Sequence, residues 1–178
     1  MQRIKALTPT EGKAKDLLDG VKKAMGSTPN IFTTFANAPA ALEAYIHFNT
    51  DLSHGVLDKQ LREQLAVTVA GFNGCNYCAS AHIFLGGKAG VEKAELVANA
   101  KGHAGDGKTQ AAITFAHALL EKRGKVSDDD LAHVRAAGFS DEEVVEILAH
   151  VALNTFTNYF NETALTAIDF PAVDLKTL

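Results

Sequence analysis

The chain has 178 residues, 47% of them hydrophobic, with a formal net charge of −4 and a pI near 5.9. That length and apolar content suffice for one domain, residues 1–178, to bury a core without covalent staples, and the mildly acidic balance excludes the broad basic face that nucleic acid or anionic lipid would select. No apolar run approaches the roughly 20 residues of a bilayer span, and the polar start Gln2-Arg3-Ile4-Lys5 leads into no signal-peptide core, so a soluble, cytoplasmic protein without a membrane partner is expected.

Apolar residues recur at three-to-four spacing along nearly the whole chain, which predicts an all-α helical bundle. Thr8-Pro9-Thr10-Glu11 reads as a helix start, with Leu17, Leu18 and Val21 on one face of a helix reaching about Met25. Thr28-Pro29 opens a short helix to Phe35, and Pro39 opens another, closed by His54-Gly55. A helix from about Asp58 to Phe72 meets the turn signal Asn73-Gly74, and a small-residue helix from Cys75 to Leu85 follows, with Gly86-Gly87 as its expected stop. Further helices are predicted at about Val91–Ala100, Lys108–Lys122, Asp128–Ala137 and Asp141–Ile168, the last opened by the capping box of Ser140 and Glu143. Laying Asp58–Leu85 on Asp141–Ile168 pairs Glu63 with Glu146 and puts Asn158 and Asn161 where Cys75 and Cys78 stand, a pattern of few identities.

Chemistry concentrates between Glu63 and His82. The two cysteines of the chain, Cys75 and Cys78, are too close in sequence to staple distant parts of a fold, so redox or ligand chemistry is their expected use. Cys75 falls at the start of a helix, where free backbone N–H groups favour a thiolate, and it is expected to be the more exposed of the two. His82 lies one turn beyond Cys78 on the same helical face and can accept its proton. With Asn73-Gly74 as the pivot of a helical hairpin, Glu63 comes level with His82 and orients it. Nucleophile, base and orienting carboxylate form the general pattern of an activated nucleophile, here with a second thiol to resolve the oxidised first one. Which cysteine attacks is left open by the spacing, since the helix end favours Cys75 and the imidazole favours Cys78.

Glu63, eleven intervening residues, Cys75-x-x-Cys78, three residues and His82 resemble the alkylhydroperoxidase D-like branch of the carboxymuconolactone decarboxylase superfamily. The resemblance is strongest over residues 40–120, and His150–Asn161 also looks like the peroxidase-related branch. It implies an all-helical fold and reduction of a hydroperoxide through the Cys75/Cys78 pair, with Glu63 and His82 as proton relay. It also implies frequent assembly into dimers, trimers or hexamers, and the dithiol chemistry itself is expected to need no metal or organic cofactor but an external dithiol or disulfide reductase as reductant. Well-studied alkylhydroperoxidases carry a histidine between the two cysteines where this chain has Tyr77, whose ordinary pKa near 10 does not suit a near-neutral proton carrier. Lactone-decarboxylating members characteristically lack the cysteine pair.

Other readings use the same residues: a disulfide reductase or redox sensor, or a non-catalytic helical oligomer whose cysteines are structural or bind zinc with His82 and Glu63. His47, His54, His103, His117, His133 and His150 have no ligand-like spacing and are assigned surface or core roles. Tyr77 is expected to pack, Asn158 and Asn161 to cap or cross-link helices, and Phe32, Phe35, Phe48 and Phe84 to serve the core rather than a substrate channel.

Overall fold

The computed structural model describes residues 2–178, and the described residues form nine helices and no strand. In chain order these are α1 (Lys13–Met25), α2 (Asn30–Phe35), α3 (Pro39–Ser53), α4 (Lys59–Asn73), α5 (Asn76–Lys88), α6 (Lys93–Ala100), α7 (Gly107–Glu121), α8 (Asp128–Ala136) and α9 (Asp141–Ala164). The all-α expectation is met, with most boundaries within two residues of the sequence reading.

Helix α4 is the axis of the bundle. Leu65 with Val69, Val67, and Ala70 face three different directions around it and are all fully buried, and a helix with buried apolar residues on several faces must be enclosed by its neighbours. Helices α5, α6, α7 and α9 enclose it. Leu61, Leu65 and Val69 join α7, α8 and α9 in one core cluster, Ala70 joins α1, α2, α3 and α5 in a second, and Val67 joins α5 and α6 in a third. Asp58 starts α4 by accepting the Leu61 N–H at 2.8 Å. Glu146 of α9 then fixes the approach to that start, its carboxylate accepting the N–H groups of Val56 and Leu57.

Three boundaries differ from the sequence reading, each for a tertiary reason. The start at Thr8-Pro9 is not used: Leu7 donates to the Thr33 carbonyl at 2.8 Å and packs into the second cluster, and the chain turns helical only after Gly12. Gly86-Gly87 does not stop α5, because Gly86 is buried where a Cβ would lie 2.7 Å from Leu96 of α6; the absent side chain admits the neighbouring helix. Helix α9 ends at Ala164 instead of Ile168, with Leu165 at φ 48° turning the chain towards α2 and α5. The alignment of α4–α5 with α9 also fails beyond α4, since α9 runs straight through the position where the first segment reverses.

The α4–α6 contact gives a stability prediction. A Cβ on Gly71 would sit 1.9 Å from the Ala100 carbonyl oxygen, which is backbone and cannot rotate away, so Gly71→Ala should cost about 1–3 kcal/mol. Gly87, with nothing within 4 Å of its would-be Cβ, is the internal comparison: Gly87→Ala should be neutral or gain about 0.5–1 kcal/mol. The urea midpoint should fall in Gly71→Ala and hold or rise in Gly87→Ala.

Candidate active site

One turn builds the site. Gly74 takes a left-handed conformation (φ 72°), its N–H reaching the Gly71 carbonyl while the Cys75 N–H reaches Ala70 at 2.9 Å. This pair of bonds satisfies the last carbonyls of α4 and sends the chain back along it, which glycine does at lower cost than any residue with a Cβ. Cys75 then serves a second time as the N-cap of α5, its Sγ accepting the Cys78 N–H at 3.3 Å. The same residue closes one helix and opens the next.

The reversal brings Glu63 of α4 to His82 of α5, with Glu63 Oε2 and His82 Nδ1 2.8 Å apart. Both are largely covered, with 17% and 24% of their side-chain surfaces exposed. A carboxylate at Nδ1 fixes that nitrogen as the N–H and leaves Nε2 as the acceptor, the tautomer a general base needs. Cys75 and Cys78 are joined as a disulfide, their Cα atoms 5.4 Å apart. Glu63, Cys78 and His82 line one cavity of about 160 Å³ with Tyr77. Phe32, Tyr45 and Phe170 give it an apolar wall, so Phe32 serves the cavity, while Phe48 and Phe84 lie at the surface and Phe35 is core. Cys75 is fully buried and does not line the cavity, which corrects the expectation that it is the more exposed thiol: as N-cap it lies under the α4–α5 turn, whereas Cys78 lies one turn into α5 on the cavity side.

Residues after α9 complete the cavity. Asp169 accepts the Tyr77 hydroxyl at 2.9 Å and the Asn30 N–H at 2.8 Å, and Tyr77 in turn accepts the Ile31 N–H. The Val173 N–H donates to Ser80 and the Leu175 N–H to Asn76, so this segment is strapped along α5. Burial and the Asp169 carboxylate push the Tyr77 phenol well above its usual range, and burial pushes Tyr45 up to about 12, so both stay neutral hydroxyls. Tyr77 therefore orders the wall and carries no near-neutral proton.

Two further groups escaped sequence reasoning. Asn161 of α9 donates from Nδ2 to Cys78 Sγ at 3.3 Å. Behind the Glu63–His82 pair lies a chamber of about 60 Å³, which those two residues share with His150, Arg62 and Asn154, room enough for water. The signal was present in the regular spacing of His150, Asn154, Asn158 and Asn161 on one face of α9, a buried polar stripe inside an apolar bundle. Another cavity, of about 580 Å³, lies elsewhere, and four of its carboxylates already serve the backbone: Asp58, Glu95, Asp106 and Glu143 accept the N–H groups of Leu61, Gly105, Thr109 and Ser140. Among the described residues no group of three or more His, Cys, Asp and Glu side chains is arranged to hold a metal ion, and no helix is long and apolar enough to cross a membrane.

Residues 39–122, which contain Glu63, both cysteines and His82, match the carboxymuconolactone decarboxylase family. The match takes in the segment that bears the site. The fold is that of its alkylhydroperoxidase D-like branch, as the sequence led us to expect. A peroxidase-related protein of Ralstonia eutropha JMP134, described as an alkylhydroperoxidase AhpD core, superposes with a TM-score of 0.81 at 23% identity, with 92% of each chain covered. A peroxidase-related protein of Silicibacter sp. TM1040 gives 0.81 at 21% identity, covering 92% of this chain and 88% of its own. The debrominase Bmp8, solved also with 2,3,4-tribromopyrrole, gives 0.78 at 18% identity, covering 98% and 94%. At these identities the likeness is one of fold. No curated protein sequence matches the chain.

The chamber yields a pH prediction. Burial first, and Arg62 second, push the His150 imidazole from its ordinary 6.5 down to about 4. Between those values the unfolded chain binds a proton that the folded chain refuses, so this contribution to stability is complete above about 6.5 and is lost as pH falls towards 4. Urea midpoints should fall across that window, and His150→Leu should flatten the slope; an unchanged slope would place His150 in contact with water.

Proposed function

We propose that the protein is a thiol peroxidase that reduces alkyl hydroperoxides or hydrogen peroxide, with Cys78 as nucleophile and Cys75 as resolving thiol. The observation that carries this reading is that Cys78, and not Cys75, shares a cavity with a Glu63–His82 pair joined at 2.8 Å. His82 Nε2 takes the Cys78 proton, directly or through water, and Glu63 stabilises the imidazolium that forms. The thiolate attacks the distal peroxide oxygen, the S–O bond forming as the O–O bond breaks. The departing alkoxide takes the proton back from His82 and leaves as alcohol, or as water from hydrogen peroxide. Cys78 is then a sulfenic acid. Cys75 attacks that sulfur, expelling hydroxide, which leaves as water with the Cys75 proton, and the disulfide forms. One thiol of an external dithiol attacks Cys78 from the cavity, Cys75 leaving as a thiolate beside the N-terminus of α5, and the second thiol then displaces Cys78 from that mixed disulfide, so that the reductant departs oxidised.

The apolar wall of Phe32, Tyr45 and Phe170 suits an organic hydroperoxide. Self-association, implied by the family resemblance, is supported by a row of exposed apolar side chains along α9, Val145, Leu148, Phe156 and Tyr159. A second reading, thiol-driven removal of halide from a small aromatic ring, draws support from the fold shared with Bmp8 over 98% of this chain. Bromide release from a bromopyrrole, without hydroperoxide consumption, would favour it.

The cysteine order is tested by mass spectrometry. One equivalent of cumene hydroperoxide should convert the reduced protein to an intramolecular disulfide. Cys75→Ser should instead stop at a sulfenic acid on Cys78, trappable by dimedone, and Cys78→Ser should leave Cys75 reduced. Sulfenic acid on Cys75 in the Cys78→Ser protein would reverse the roles, and two free thiols under excess peroxide would remove the peroxidase reading.

A further inference from the structure

We propose that Asn161 is a catalytic residue that holds Cys78 as a thiolate. The proposal rests on the peroxidase reading for its purpose, but its chemistry concerns the thiol alone. Asn161 is 2% exposed on the inner face of α9, and the partner of its Nδ2 is Cys78 Sγ at 3.3 Å. Its Oδ1 is buried without any partner. An amide buried with its acceptor unused is destabilising relative to an apolar side chain of the same size. Packing therefore gives no reason for an amide here; the donor aimed at sulfur does.

A thiolate accepts an N–H bond more strongly than a neutral thiol does, so a donor fixed at Cys78 Sγ favours ionisation of that sulfur. Cys75 draws on a different donor, the Cys78 backbone N–H at the end of α5. The two sulfurs are thus tuned independently. The one open to the cavity has an imidazole nearby and a side-chain donor from another helix, while the sealed one has a helix terminus. Stabilising a thiolate also makes it a weaker nucleophile, by about threefold for each tenfold gain in its population. Asn161 therefore favours reaction at neutral pH, where the thiolate is scarce, and slows it at high pH, where ionisation is complete.

This opposition separates an electrostatic role from a structural one. In the reduced Cys75→Ser background, the ultraviolet absorbance of the thiolate followed against pH reports Cys78 alone. Asn161→Leu, which keeps the side-chain size and removes the donor, should raise the Cys78 pKa by about one unit. In the protein with both cysteines it should slow peroxide reaction at neutral pH by about threefold, and at high pH its limiting rate should exceed the parent's by about threefold. Asn158→Leu is the control, because Asn158 is fully buried on the same helix with its Nδ2 unpaired but bonds Asn73 rather than the sulfur. It should leave the Cys78 pKa unmoved. An unmoved pKa in Asn161→Leu, or equal shifts in both variants, would overturn the proposal. Should Asn161→Leu fail to fold, the parent decides: a Cys78 pKa at or above the ordinary value of about 8.5 would equally overturn it. The titration uses no peroxide, so a shifted pKa in a protein that consumes no hydroperoxide would retain the role of Asn161 and remove only the peroxidase reading.

Discussion

A carboxylate and an imidazole 19 residues apart in sequence stand 2.8 Å apart in space, and most of the site follows from what that contact requires. The chain has to reverse between them within a few residues and without leaving buried backbone groups unpaired. Gly74 in its left-handed conformation does this, and the bond from Cys75 N–H to the Ala70 carbonyl fixes the angle of departure. From that angle the rest is helical geometry: Cys75 caps α5, Cys78 follows one turn later on the cavity side, and His82 follows one turn after that, opposite Glu63. A change in the turn would move Cys75, Cys78 and His82 together relative to Glu63.

The surrounding bundle makes the contact effective by covering most of both side chains. Helix α4 is enclosed by α5, α6, α7 and α9, and the strap after α9, tied to Tyr77 by Asp169 and to Ser80 by Val173, adds Phe170 to the cavity wall. Burial also imposes a requirement, because every polar group left inside needs a partner or a purpose. The buried polar face of α9 meets it unevenly. Asn154 donates to the His150 carbonyl and Asn158 accepts from Asn73, while His150 Nε2, Asn158 Nδ2 and Asn161 Oδ1 find no partner. Two of them adjoin the candidate site: His150 lines the chamber beside Glu63 and His82, and Asn161 bonds Cys78 Sγ, where local stability is commonly given up for chemistry.

The part of this arrangement legible in the sequence is the part governed by local rules. Helical periodicity and the turn at Asn73-Gly74 sufficed to bring Glu63 level with His82, because a tight hairpin of two helices leaves little freedom in register. Capping chemistry predicted Ser140 and Glu143 at the start of α9 for the same reason. Contacts between distant segments were not legible. The start of α1 was misplaced because Leu7 answers to Thr33 rather than to its own neighbours, and Gly86 was read as a stop when its role is to admit Leu96. Burial of Cys75 depends on the tightness of the turn above it, Asp169 reaches Tyr77 across 92 residues, and Asn161 reaches Cys78 across 83. No spacing rule links such pairs.

The central claim is that Glu63 and His82 act as one unit upon Cys78, and its most direct measurement is the second-order rate of reaction with an organic hydroperoxide across a pH series. Glu63→Gln, His82→Ala and the double variant would be compared by stopped flow with the unaltered protein. Glu63→Gln keeps the shape and hydrogen-bonding capacity of the side chain while removing its charge, and should slow the reaction at neutral pH by about tenfold, with partial recovery at higher pH. His82→Ala should lose as much or more, and the double variant should be little slower than the worse single one, as residues of one unit behave. Losses that multiply in the double variant, or a Glu63→Gln profile superposable on that of the unaltered protein, would contradict the account.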